Sequence, residues 1–193
     1  MWITALTRKI EEWTSESEVV YKIAERYYQD VIQKEVVLAN ITSGDQILCI
    51  GGGICPFSAI LLHRLTGAKV TVIDNNSACV KKARQVITRM GIENAVKVLC
   101  EDGRCVDVSK YTVVHFALQV FPMECVFSHI ESRVVAGTKL LVRQPKRQVE
   151  KLYNQLPKPL QYCPLTTHSA RNIGCTLLYV KVDSSADSYS QVS

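Results

Sequence analysis

The sequence lacks several things, and each absence narrows what it can do. None of its eight cysteines forms a Cys-x-x-Cys pair, which removes the common zinc and redox spacings. Cys49, Cys79, Cys100 and Cys175 lie in apolar periodic segments, where a thiol reads as a small hydrophobe. So many free thiols suit a reducing compartment, and a cytoplasmic location is expected. No apolar run approaches the length of a bilayer span, and residues 1–10 hold no continuous apolar stretch that would serve as a signal peptide. No Gly-Lys-Ser/Thr follows a glycine loop, which excludes a Walker phosphate loop. No two histidines stand at ligand spacing, so no metal is expected. Charge of one sign is sparse too. The net charge of +5 is mild, and only Lys81, Lys82 and Arg84, then Arg143, Lys146 and Arg147, gather at all. Both groups read as solvated helix faces, and nucleic acid is not indicated.

What is present is a chain of 193 residues with ordinary apolar and charged fractions, enough for one domain with its own core. The first third reads as helical up to about Val37. Ser15 to Glu18 has capping-box form, and Val20, Ile23, Ala24, Tyr27, Val31 and Ile32 recur at three- and four-residue steps. After a turn at Ser43-Gly44-Asp45 the pattern changes to short apolar runs alternating with amphipathic ones. Strands are predicted at 46–50, 69–73, 96–99, 112–118, 139–143 and 175–182, with an edge strand within 160–166, where Pro157, Pro159 and Pro164 crowd. Helices are predicted at 56–65, 77–90, 124–135 and 146–154. Such alternation predicts an α/β fold: a Rossmann-like, mostly parallel, seven-stranded-type sheet with helices on both faces and an N-terminal helical extension. The expected division is an extension over 1–40, a cofactor-binding domain over 41–183 and a disordered serine-rich tail over 184–193.

Cys49-Ile50-Gly51-Gly52-Gly53-Ile54-Cys55-Pro56 lies between the first sheet strand and the next helix. Ligands of open parallel sheets bind beyond the carboxyl ends of the strands. Glycines there let a ligand reach bare backbone, and the following helix start offers N–H groups to an anion. Asp74 ends the second strand about twenty residues on, the spacing at which a carboxylate takes ribose hydroxyls, with Asn75 beside it. Glu101-Asp102-Gly103 follows the third strand, where an acidic side chain or amide can meet an adenine edge. A dinucleotide site needs a third glycine where this chain has Pro56. S-adenosylmethionine (SAM) has no pyrophosphate and needs less bare backbone, so the pattern favours SAM over a nicotinamide cofactor. The expected cofactor contacts are Gly51, Gly52, Gly53, Ile54, Asp74, Asn75, Glu101, Asp102, Gly103 and Leu118. Tyr27, Tyr28, Gln119 and Phe121 are the candidates for an acceptor, and no catalytic residue is assigned. Both tyrosines read equally well as packing residues.

These motifs resemble the class I SAM-dependent methyltransferase domain over 46–143, about half the chain. Within that superfamily the closest likeness is to the catalytic half of nicotianamine synthases. The likeness rests on Cys49 to Pro56, Ile60-Leu61-Leu62, the strand to Asp74, and Ala117-Leu118. It implies SAM held at Gly51, Gly53, Asp74 and the Glu101-Asp102 turn. Nicotianamine synthases carry a substantial helical N-terminal domain, whereas about forty residues precede the sheet here. Methyl transfer to a small molecule is the leading expectation. The alternatives are transfer of the aminobutyrate arm of SAM, as in nicotianamine synthesis, and a SAM-binding module without catalysis. Trp2 and Trp13 would suit a dimer contact.

Overall fold

The computed structural model describes residues 18–153 and 163–183. Ser15, Ser17, Trp2, Trp13, the tail, Pro157 and Pro159 lie outside those residues. The elements are α1 (Glu18–Ala39), β1 (Gln46–Ile50), α2 (Phe57–Thr66), β2 (Lys69–Asp74), α3 (Ser77–Arg89), β3 (Val96–Cys100), β4 (Val113–Phe116), α4 (Met123–Glu131), β5 (Lys139–Pro145), β6 (Leu165–Thr167) and β7 (Ile173–Val180). The seven strands form one sheet in the order β3-β2-β1-β4-β5-β7-β6. The first five neighbours pair in parallel, and β7 runs antiparallel between β5 and β6.

Alternation along the strands divides the core in two. Ile47, Cys49, Val70, Val72, Val113 and Leu141 face α1, α2 and α3. Leu48, Ile50, Ile73, Val114, Phe116, Leu140 and Val142 face α4 and the 106–111 segment. Strands covered on both faces explain the continuous apolar runs. Ile32 and Ala39 of α1 belong to the first of these cores, so the N-terminal helix shares the hydrophobic interior of the sheet.

The differences from expectation are local. Predicted strand 112–118 is paired only from Val113 to Phe116, because the chain turns at Ala117, where Val120 N–H donates to Ala117 O at 3.2 Å. Predicted helix 124–135 begins at Met123 and ends at Glu131. The 146–154 helix is only a 3₁₀ segment, Arg147–Leu152, which buries no residue and so has no apolar face to hold it. Pro56 is the N-cap of α2 rather than its first helical residue. The edge strand does form, as the short β6. Cys100 is exposed, not part of an apolar interior, and all eight cysteines are free thiols.

One charge reading is overturned. Arg143 does not belong to a solvated face: it is buried at 3% exposure. Its residue number places it on the same strand face as Leu141, toward α1, where it meets the carboxylate of Glu35. Lys81 and Arg84 are exposed as expected, although Arg84 Nε also donates to Val98 O at 2.8 Å.

Candidate functional site

β1 delivers the chain to the carboxyl edge of the sheet, and the three glycines that follow each have a separate reason to be there. Gly51 and Gly53 have φ of 84° and 59°, the left-handed region that side chains avoid. Gly52 is required by space instead: a Cβ there would lie 2.2 Å from Val72 Cγ1. The loop therefore lies flat on β2 with its main chain outward. Gly51 N–H and Gly52 N–H donate to Ile73 O at 3.0 and 3.4 Å. The Ile54 side chain is buried, which leaves only its backbone to serve a ligand.

Asp74 sits one strand over and faces this loop. Its Oδ2 accepts from Gly53 N–H at 2.8 Å, and its Oδ1 accepts from Asn76 N–H at 2.9 Å. A carboxylate has about four acceptor sites, so two protein donors leave capacity for two more hydrogen bonds. The side chain is half-buried at the mouth of the loop. Asn75 is exposed beside it, while Asn76 is spent on capping α3 through Ala78 N–H and Cys79 N–H.

The third turn is tied to the second strand by Glu101 N–H, which donates to Asp74 O at 3.1 Å. Asp102 is already engaged. Arg104 donates from Nε at 3.0 Å and from Nη2 at 2.6 Å, and its backbone N–H donates at 2.8 Å. The Arg104 hydrogen bonds hold the Asp102 carboxyl down to about 2. Gly103 is packed rather than open, since a Cβ would meet Val126 Cγ1 at 2.8 Å. Of this turn, the half-buried Glu101 is the acidic side chain left to a ligand.

The loop after β4 closes the edge. Ala117 N–H donates to Ile50 O at 3.1 Å, and a Cβ on Gly51 would touch Ala117 Cβ at 3.3 Å, so the two loops are in contact. Leu118 is buried in a small cluster with Val31, Ala170 and Ile173, against which Tyr27, Tyr28 and Tyr153 pack. Gln119 and Phe121 are exposed at the rim, Phe121 at 75%.

The tyrosines of α1 have partners. Tyr27 Oη accepts from Asn172 N–H at 3.4 Å, and its ring meets that of Tyr28 edge-on at 5.1 Å. Tyr28 stacks on Phe57 at 5.6 Å and lies over the Arg143 guanidinium at 5.7 Å. Packing thus accounts for Tyr28, while Tyr27 stands nearer the edge with Tyr153 and Asn172. Sequence reasoning missed Tyr153, Asn172, Glu35 and Arg143. The two charges left a signal: Glu35 falls on the apolar helical stripe of Val31, Ile32, Leu38 and Ala39, and Arg143 follows Leu140-Leu141-Val142 in a buried strand. His115 is buried in the core, and His168 is buried on Thr176. Among the described residues no cluster could hold a metal ion, and no helix is long and apolar enough to cross a membrane.

This edge sets bare backbone, a carboxylate with spare acceptor sites and a helix start side by side. Such an arrangement fits a ligand that carries both a carboxylate and a ribose. Known proteins agree in shape. No protein-family model matches the chain. It is 31% identical, over 72 residues or 37% of its length, to an L-histidine 2-aminobutanoyltransferase of Yersinia pestis, and the match spans 27% of that protein. A mutant of nicotianamine synthase (MtNAS) solved in complex with S-adenosylmethionine superposes with a TM-score of 0.80 at 21% identity, covering 94% of this chain and 76% of that one. An RNA methyltransferase from Salinibacter ruber, in complex with S-adenosyl-L-homocysteine, superposes with a TM-score of 0.59 at 18% identity, covering 80% of this chain and 92% of that one. The chain therefore has the Rossmann-like fold found in SAM-dependent methyltransferases and in nicotianamine synthase.

Proposed function

We propose that this protein is a SAM-dependent transferase, with 41–183 as the cofactor-binding unit and the helical segment before it as a cover. The hydrogen bond from Gly53 N–H to Asp74 Oδ2 carries the reading, because it brings the bare loop and the ribose-competent carboxylate into one cradle. In this reading Gly51, Gly52, Gly53 and the Ile54 backbone hold the amino-acid end. The start of α2, directly after the loop, lends its partial positive charge to the carboxylate. Asp74 takes the ribose with Asn75 at its rim. Glu101 and the Asp102-Gly103 backbone line the adenine edge, and Leu118 walls it. Tyr27, Gln119 and Phe121 face the acceptor, and Tyr28 supports Tyr27 from behind.

SAM supplies an electrophilic carbon beside a sulfonium that is already a good leaving group. The chain's own work is then to hold the acceptor in line and to exclude water, which is where proximity contributes most. Two carbons can be attacked. Attack on the methyl leaves S-adenosylhomocysteine, whereas attack on the aminobutyrate arm leaves methylthioadenosine. The likeness to an aminobutanoyltransferase in sequence and to nicotianamine synthase in fold supports the second outcome, with an amine as acceptor. Methyl transfer is the second reading, favoured by the likeness in fold to a methyltransferase.

Calorimetry with purified protein tests binding, and mass spectrometry of a SAM reaction with a panel of amino acids, L-histidine included, tests the outcome. Methylthioadenosine together with an acceptor heavier by one aminobutyrate is the expected result. S-adenosylhomocysteine instead selects methyl transfer. Binding without either product favours a SAM-binding module, and no binding removes the reading altogether.

A further inference from the structure

Behind the glycine loop, between α1 and the sheet, lies a buried polar group that the proposed chemistry does not use. Glu35 of α1 is fully buried, and its carboxylate accepts four hydrogen bonds: Arg143 Nε at 2.8 Å and Thr176 Oγ1 at 2.7 Å on Oε1, Arg143 Nη2 at 2.9 Å and His115 Nε2 at 3.2 Å on Oε2. That fills its acceptor capacity. Thr176 in turn accepts from His168 Nε2 at 2.8 Å. An ion pair of this kind is weak evidence for stability, since well-packed apolar residues of similar volume often serve as well. Its presence calls for another account.

The account lies in the remaining arm of Arg143. Nη1 donates to Ser58 Oγ at 2.9 Å. Ser58 is in the first turn of α2, directly after the glycine loop. The same guanidinium lies under the Tyr28 ring, which stacks on Phe57, the first residue of α2. One planar group thus joins β5, the covering helix α1 and the helix start that faces the ligand. The planar fork provides three separate bonding directions, which a lysine ammonium cannot reproduce.

We propose that Arg143, held by Glu35, is a positioning residue for the cofactor: through Ser58 and Tyr28 it sets the first turn of α2 and the adjoining end of α1 at the separation the ligand needs. The inference rests on the SAM reading of the glycine loop. It separates from a purely structural role because affinity and stability need not move together.

The test measures SAM affinity by calorimetry and melting temperature for the wild type, Ser58→Ala, Ser58→Thr and the double variant Glu35→Leu/Arg143→Met. Ser58→Ala leaves the Glu35 pair intact, so its melting temperature stays near that of the wild type while SAM binding weakens about tenfold. Ser58→Thr keeps the hydroxyl and restores binding to within about twofold. The double variant removes both charges together, so its loss in melting temperature is limited to the orphaned His115 and Thr176 hydrogen bonds, yet it binds SAM at least about tenfold more weakly. Unchanged affinity in Ser58→Ala overturns the proposal, whether or not the double variant folds. A wild type that binds no SAM overturns the cofactor reading itself, and this inference falls with it. Normal wild-type binding with unaffected variants sinks the positioning role alone.

Discussion

Two carboxylates, Glu35 and Asp74, show what burial does to the same chemical group. Glu35 is enclosed, and four protein donors occupy its oxygens. Burial alone would push its carboxyl up, but the Arg143 charge and the hydrogen bonds outweigh that and hold it well below the usual range. Nothing further can bind to it. Asp74 is half-buried, accepts two backbone N–H groups and keeps the rest of its capacity toward solvent. A saturated carboxylate organises the interior, and an unsaturated one at the sheet edge is available to a ligand. The same distinction separates Asp102, whose acceptors Arg104 fills, from Glu101 beside it.

The largest expected contrast comes from truncating one partner of the saturated site. Arg143→Ala leaves Glu35 buried without its counter-ion, so it costs about 3–5 kcal/mol in chemical denaturation. A loss below about 1 kcal/mol would mean that water reaches Glu35 and that the two carboxylates are alike. Next comes the loop between them. Gly52→Ala puts a methyl group into Val72, so a stability loss of about 1–3 kcal/mol is expected, relieved when Val72→Ala is combined with it. Failure of the second substitution to restore stability would show that backbone strain, not the side-chain clash, fixes this glycine.

Asp74→Ala sharpens the contrast from the other side. The melting curve should move little, while SAM affinity falls by about 1.5–3 kcal/mol, the worth of hydrogen bonds to a charged group. Unchanged affinity in calorimetry would remove Asp74 from the ribose.

The smallest effect concerns pH. Burial lowers the basicity of His115 and of His168, and for His115 the Arg143 charge adds to this. Both hold a proton less tightly in the fold than in the unfolded chain, so they take up protons on unfolding below about pH 6.5. The unfolded chain then binds more protons than the native one, so stability falls as pH drops, by at most about 1.4 kcal/mol per pH unit for each histidine. Glu35, whose carboxyl is held low, contributes stability that persists until much stronger acid. Denaturation midpoints measured from pH 8 to pH 5 check the sign, and His168→Gln should flatten the profile. A midpoint that rises on acidification would mean that the histidines are protonated against Glu35 in the native state.

Much of the fold is legible in the order of residues because the two periodicities are clear. The strands from Gln46, Lys69 and Val96 begin at the residues their apolar runs mark, and α3 follows its amphipathic stripe from Ser77. What local pattern misjudged is where elements end. β4 stops at Phe116 because the chain turns just beyond its last rung, Ala117 N–H to Ile50 O, where Val120 N–H donates to Ala117 O. The predicted 146–154 helix has helical spacing, but Arg147–Leu152 buries no residue and forms only a 3₁₀ turn. Arg143 misleads for a similar reason: beside Lys146 and Arg147 it looks like one of a solvated group, and only strand alternation turns it inward.

The candidate site divides along the same line. Glycines after the first sheet strand, an aspartate at the end of the second and an acidic turn after the third are local signals, because each lies within a few residues of the strand end that places it. The sequence by itself therefore determined the strand–helix alternation, the loop and its facing carboxylate. Tertiary structure alone decided that Asp102 is engaged by Arg104, that Tyr27 meets Asn172, and that Glu35 finds partners 80, 108 and 141 residues away in His115, Arg143 and Thr176. The physical reason is distance along the chain. A strand end carries its own loop with it, but the donors that saturate a buried acid come from whichever strands the closed sheet brings beneath it.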